Sequence, residues 1–359
     1  MINFKKNFAF GIFFRALFLP SSLLLPICLK LNQFDYSWLS MIYSGIAVAI
    51  FTRLGFDRRH FAYIVKKGFP PLIVICSIIV TSGFICIYYN NLYFLGVGLF
   101  IASSLALTIS FRAESQFLIA NLFDVPAILF FFSCISFFGS DIALLISFIL
   151  GISFLCYALL RKTNKQFALK NCMACVSLKA ALNSSAGFLM QSIANECLVL
   201  VNIGNDIAYK IRISERLAFS LTFINTASFL VIQKLALSNI GIQKIRAIGK
   251  FSLFFGIALF FLFLFLIPFY PNFIGLRYFV LFSVLYLLTL FLPPIGHAGD
   301  QLKSTNLLFN NNVCFIGAVL LAYVFGQPIL GFSLYALSIF VERVLICKKL
   351  NILAFNLSS

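Results

Sequence analysis

Apolar runs of roughly 20 residues recur along the whole chain, separated mostly by short polar turns. A helix rises 1.5 Å per residue, so such a run spans about 30 Å, the thickness of a bilayer's hydrocarbon core. Inside hydrocarbon each backbone N–H and C=O must be satisfied within its own segment or in a closed barrel. Continuous apolar runs, rather than alternating ones, select the helix. The composition agrees. Some 62% of the residues are hydrophobic and 10% are charged, whereas soluble domains are about 45–50% apolar and about 25% charged. No segment between the runs is long enough to fold as a soluble domain. The sequence reads as an all-α polytopic membrane protein.

Twelve spans are expected, at 8–29, 37–53, 70–89, 91–111, 116–138, 142–160, 180–203, 207–232, 251–270, 275–295, 306–326 and 328–346. The longest polar connector, 161–179, divides them into an N-terminal set of six within 1–160 and a C-terminal set within 180–359. Placing the N-terminus in the cytoplasm puts 21 of the 27 Lys and Arg residues on that side and only Lys30 and Arg277 outside. Four others, Arg15, Lys210, Arg212 and Arg216, fall within spans. That asymmetry is the positive-inside signature and predicts cytoplasmic termini.

The same distribution explains the net charge of +17. It is a topological signal spread over short loops, and no nucleic-acid partner is expected. The basic loop from Arg53 to Lys67 reads either as a short interfacial helix on the anionic leaflet or as a solvated loop. Most of the ten cysteines lie in or beside spans as small apolar residues. Cys172 and Cys175 form a lone CxxC, but zinc needs two further ligands, and the chain has only His60 and His297. Neither a metal nor another cofactor is expected. The sequence has no GxSxG elbow, HExxH pair or phosphate-cradling glycine loop, and external loops are short, so an enzyme is not expected. The first span lacks a small-residue cleavage site and reads as a membrane helix rather than a removable signal.

Polar residues inside the spans carry the functional information. A charge near the bilayer midplane costs roughly 2.5 kcal/mol or more, so such residues are usually functional. From Asn205 to Arg216 five charges fall within twelve residues. Asn205, Tyr209, Arg212 and Arg216 recur at i, i+4, i+7 and i+11, which places them on one helical face. On the preceding span Ser184, Gln191 and Asn195 share a face, widened by Ser192 and Glu196. Two adjacent polar faces suit the wall of an aqueous cavity. The alternative starts the eighth helix near Ile213, leaves Lys210 and Arg212 at an outer rim, and has Glu215 pair with Arg212 for structure alone. Arg216 lies about 14 Å inside its span at 1.5 Å per residue, too deep to reach the surface easily. Arg15 in the first span either joins this cavity or snorkels to the cytoplasmic face. Asp124 and Glu196 are candidates either for coupling transport to a proton or sodium ion or for pairing with a buried arginine.

The segment from Glu196 to Asn239 resembles the seventh-to-eighth helix region of polysaccharide flippases in the MATE-like multidrug/oligosaccharidyl-lipid/polysaccharide exporter superfamily. The matching features are Gly204 in a short outer turn, then Tyr209, the basic group from Lys210 to Arg216, and a long apolar helix. The segment from Gly296 to Gly331, with its Asn-rich helix start and Pro328 to Gly331, resembles that family's last two helices. The resemblance implies two six-helix lobes around a central cavity that opens alternately to each side of a bacterial inner membrane. The cargo would be an undecaprenyl-pyrophosphate-linked oligosaccharide for a surface polysaccharide such as O-antigen or capsule. Arg15, Lys210, Arg212 and Arg216 would hold the pyrophosphate, and Gln191, Asn195, Asn205 and Tyr209 would face sugar hydroxyls. A cation-coupled drug exporter of the same superfamily is disfavoured by the net positive eighth span. A membrane-embedded polysaccharide polymerase is disfavoured by the short outer loops. A purely structural membrane protein would let these charges be neutralised without loss of function.

Overall fold

A computed structural model describes residues 21–55, 70–113, 117–123, 125–162, 177–225, 228, 239–295 and 304–349. Regular structure among them is helical: α1 Ser21–Leu31, α2 Ser37–Phe51, α3 Pro71–Tyr88, α4 Leu95–Ala113, α5 Phe117–Leu122, α6 Val125–Ile135, α7 Ser140–Tyr157, α8 Leu178–Val201, α9 Asn205–Phe219, α10 Asn239–Leu266, α11 Leu276–Leu290, α12 Thr305–Val324 and α13 Pro328–Lys349, with short 3-10 turns between some of them. Seven are long and apolar enough to cross a membrane, some counted with an adjoining short turn: Pro71–Tyr88, Leu92–Phe111, Ser140–Leu160, Leu178–Val201, Lys244–Phe269, Thr305–Val324 and Pro328–Lys349. By helix length and hydropathy this is a multi-pass membrane protein.

Six of the twelve expected spans come out differently. The ninth, expected from 251, begins earlier, with α10 starting at Asn239. The second and tenth are shorter apolar helices, Ser37–Phe51 and Leu276–Leu290. The first is described only from Ser21 onward. The eighth forms α9 and continues through a 3-10 turn at Ser220–Thr222. The fifth is not one helix: α5 ends at Leu122 and α6 begins at Val125. Pro126 has no N–H to donate to Leu122, which breaks the ladder there. Beside this break the Thr108 hydroxyl donates to the carbonyl of Phe123, the kind of side-chain contact by which membrane helices satisfy backbone groups at a break.

The chain forms two compact units, Met1–Asn195 and Glu196–Ser359, and the division falls inside α8. The expected connector lies mostly outside the described residues, which resume at Ser177.

In the first unit α4 is the hub, packing against α2, α3 and α7. Its span Leu92–Phe111 is 72% buried, against 17% for Lys244–Phe269, so one serves as core and the other faces lipid. Small residues set the spacing around the hub. A Cβ on Gly98 would lie 2.6 Å from the Cα of Ser82 in α3, and one on Gly96 would lie 2.7 Å from the Cα of Phe148 in α7. Close backbone approach of this kind drives helix association in lipid, where no hydrophobic force operates between helices. At the end where α1 meets α2 and α3 meets α4, Trp38 packs against Phe34 and Phe94, and Tyr89 against Tyr88 and Phe94. Clusters of this type anchor helices at the lipid–water boundary.

In the second unit α11 takes the central place, packing against α9, α10 and α13, while α12 pairs with α13. Aromatic rings fill its contacts: Phe279 stacks on Phe260, and Phe282 meets Phe332 edge-on. On the outer side of α10, Phe251, Phe254, Phe261, Phe265 and Phe269 are exposed, as a lipid-facing helix requires.

Candidate functional site

Helix α9 begins at Asn205, directly after Gly204, whose φ of +84° is one that glycine adopts without strain. The alternative start near Ile213 is therefore excluded, and all the charges of this segment are helical. Asp206 in the first turn and Arg216 in the last complement the helix dipole. The apolar positions and the aligned polar ones together bury the helix from Ala208 through Ala218, with Lys210 alone half-exposed. Its start is pinned to α11 by Ser214, whose hydroxyl donates to the carbonyl of Lys210 at 2.7 Å and accepts from the N–H of Gly275 at 3.0 Å.

A carboxylate organises this helix. Glu215 is fully buried, and its Oε2 accepts from Arg212 Nη1 and from Arg216 Nε, each at 2.7 Å. Its Oε1 accepts from the Tyr286 hydroxyl of α11 at 2.6 Å and from Arg216 Nη2 at 3.2 Å. Aromatic faces hold the two guanidinium groups: Arg212 lies 5.0 Å from the ring centre of Phe332, and Arg216 lies 4.9 Å from that of Phe219. Phe219 in turn meets Tyr286 edge-on at 5.4 Å. The triad carries two positive charges against one negative, deep in an apolar bundle. Guanidinium groups oriented by a shared carboxylate and stacked on rings are preorganised for a planar or tetrahedral oxyanion, and Arg presents its donors in a rigid fork.

The expected cationic residues divide. Arg212 and Arg216 are buried in the triad. Lys210 stands apart, half-buried, with its stem beside Gly275 at the start of α11. Arg15 lies outside the described residues, as does Asp124.

The expected polar wall divides as well. Tyr209 is buried on α9, whereas Asn205 is exposed in the first turn rather than aligned with the buried row. In the first unit Asn195 and Gln191 are buried on α8. Asn195 accepts from the Tyr36 hydroxyl at 2.5 Å and donates to the carbonyl of Gln191 at 2.8 Å. Ser192 meets Ser44 of α2, hydroxyl to hydroxyl, at 2.7 Å. This side of α8 thus forms a polar seam with α2 in the first unit. Ser184 is turned to its own helix, donating to the carbonyl of Ala180. Glu196 is half-buried.

Sequence reasoning weighed Glu215 only as a partner for Arg212, and it did not find Tyr286, Phe332 or Phe219. The spacing of Glu215, three residues after Arg212 and one before Arg216, was a readable sign of a shared counter-ion. No comparable sign marked Tyr286, which comes from 71 residues away. Among the described residues no group of three His, Cys, Asp or Glu side chains is placed to hold a metal ion. No protein-family model, curated protein or solved structure matches this chain.

Proposed function

We propose that this protein is a flippase that moves an undecaprenyl-pyrophosphate-linked oligosaccharide across the bacterial inner membrane for surface polysaccharide synthesis, without a covalent step. The observation that carries this reading is the pair of buried guanidinium groups on α9, Arg212 and Arg216, sharing the single carboxylate of Glu215. Charge is retained inside a membrane bundle mainly where it binds a substrate, an ion or a partner charge. An excess of guanidinium over carboxylate suits a diphosphate and opposes an organic cation. The polyprenyl tail stays in the bilayer while the head group passes through the protein. Alternating access by two rocking lobes provides the path, as in transporters built on repeated helical halves. Arg15 and Lys210 are proposed as further head-group contacts. Gln191, Asn195, Asn205 and Tyr209 are proposed to meet sugar hydroxyls, and Asp124 or Glu196 to couple a proton or sodium ion.

A static role for the triad has one observation in its favour: Glu215 already pairs with both arginines. The two readings separate in cells. Under the flippase reading, Arg216→Ala blocks export and lipid-linked sugar intermediates accumulate. Normal surface glycan at a normal level of the variant protein would rule that reading out.

A further inference from the structure

Beyond the triad, the second unit contains another buried guanidinium. Arg343 of α13 is only 5% exposed, and its one hydrogen bond among the described residues runs from Nη1 to the carbonyl of Thr289 at 2.5 Å. Among the described residues no carboxylate lies within ion-pair distance of it; the nearest acid acting on it is its neighbour in sequence, Glu342, which is half-buried. As a residue near a helix end, it counts in the sequence as one more cytoplasmic charge. Its burial sets it apart from the exposed Lys179, Lys244, Arg246, Lys250, Lys348 and Lys349, and is shared by Arg53 of the first unit.

Part of its role is local. The carbonyl of Thr289 would receive a helical hydrogen bond from residue 293, but Pro293 has no N–H. Arg343 supplies the missing donor at the end of α11. A neutral glutamine or asparagine could do this without the expense of burying a charge, since an unpaired buried ion costs several kcal/mol as an order of magnitude. A guanidinium has five N–H donors, and the cap uses one. The remaining donors and the charge are accounted for by an anionic ligand.

The surroundings fit. The exposed Lys348 and Lys349 end the same helix, within two turns of Arg343. On the other side α11 itself joins Arg343 to the triad, through two of its residues that bond separately to each. The Thr289 hydroxyl donates to the carbonyl of Tyr286, and the Tyr286 hydroxyl donates to Glu215. Thr289 and Tyr286 are three residues apart, about one helical turn.

We infer that Arg343 forms a second phosphate-binding station, about one turn along α11 from the triad, which takes the phosphate group of a lipid or of a lipid-linked head group. Its place as a step on a transport path rests on the flippase reading, whereas phosphate binding at Arg343 does not.

The test uses the full chain in phosphatidylcholine nanodiscs, titrated with geranyl diphosphate, and in discs containing phosphatidylglycerol with no added ligand. Arg343→Gln keeps a donor for Thr289 and removes the charge. It is expected to weaken geranyl diphosphate binding about tenfold, the loss of one charge-assisted hydrogen bond or more. It is also expected to remove any thermal stabilisation by the ligand while leaving the unliganded melting point near that of the wild type. If phosphatidylglycerol alone stabilises the wild type but not Arg343→Gln, the phosphate comes from a bilayer lipid. If only the diphosphate does so, it comes from the cargo head group. Should Arg343→Gln fold poorly, Pro293→Ala restores an N–H for Thr289 and allows the same comparison in that background. Unchanged binding of both ligands by a folded Arg343→Gln protein overturns the proposal and leaves Arg343 as a helix cap. Loss of diphosphate binding in Arg216→Gln but not in Arg343→Gln, with stabilisation by phosphatidylglycerol also unchanged in Arg343→Gln, overturns the second station and spares the flippase reading. The reverse pattern supports the station and removes the triad as the phosphate site.

Discussion

The two units each have a hub helix, and the two hubs are built on opposite principles. Around α4 the described contacts are notable for closeness: Gly96 and Gly98 let backbones touch α7 and α3 directly. Around α11 the contacts are aromatic and ionic: Tyr286 reaches Glu215, Phe282 reaches Phe332, and Thr289 takes a hydrogen bond from Arg343. Backbone packing through glycine needs no charge and gains nothing from a ligand. Buried guanidinium groups are costly to keep and become favourable when an anion is present. Under the proposed function, the α4 hub is scaffold and the α11 hub carries the binding chemistry.

The largest effect is expected where the scaffold has no room to give. Gly98→Leu places a side chain where the Ser82 backbone already stands. It should abolish the folded protein, seen as loss of the monodisperse peak in detergent on size exclusion. A near-normal yield would mean that α3 and α4 are free to part, and the scaffold half of the contrast would fail.

Next comes the ionic hub. Glu215→Ala leaves Arg212 and Arg216 buried without their shared partner, a change worth about 3–5 kcal/mol in comparable buried pairs. Steric-trapping or thermal unfolding in bicelles would measure this, and added diphosphate should recover part of the loss. Tyr286→Phe removes one hydrogen bond to the same carboxylate, for about 1.5–3 kcal/mol. The smallest change is expected in the polar seam of the first unit. Tyr36→Phe removes the hydroxyl that donates to Asn195, and side-chain hydrogen bonds between membrane helices average about 0.6 kcal/mol. A Tyr36→Phe effect larger than that of Tyr286→Phe would invert the proposed division between the two hubs.

Much of the fold was legible in the chain, because helix length and apolarity are local properties. The third, fourth, sixth, seventh, eleventh and twelfth spans were found at nearly their observed limits, and the ninth at its end but not at its start. The start of α9 after Gly204 was also legible, from a glycine turn followed by a polar stripe. The break at Pro126 was missed because a proline in an apolar run permits either a bend or a stop, and the Thr108 hydroxyl that donates to the Phe123 carbonyl beside it comes from another helix. At the site, the alignment of Arg212 with Arg216 could be read from spacing. The partners that define their chemistry could not. Tyr286 and Phe332 lie on α11 and α13, and only tertiary packing brings them to α9. Arg343 was hidden for a different reason: a basic residue near a helix end looks the same in sequence whether it snorkels or turns inward.

The claim on which the functional reading turns is that the guanidinium groups of α9 bind a phosphate-bearing head group. It is tested most directly by measuring the affinity of purified protein for geranyl diphosphate, with and without Arg216→Gln. A drop of about tenfold or more, with no change in binding of an uncharged prenol, is the expected result. Equal affinity in the two folded proteins would contradict it and leave the triad as a structural ion network.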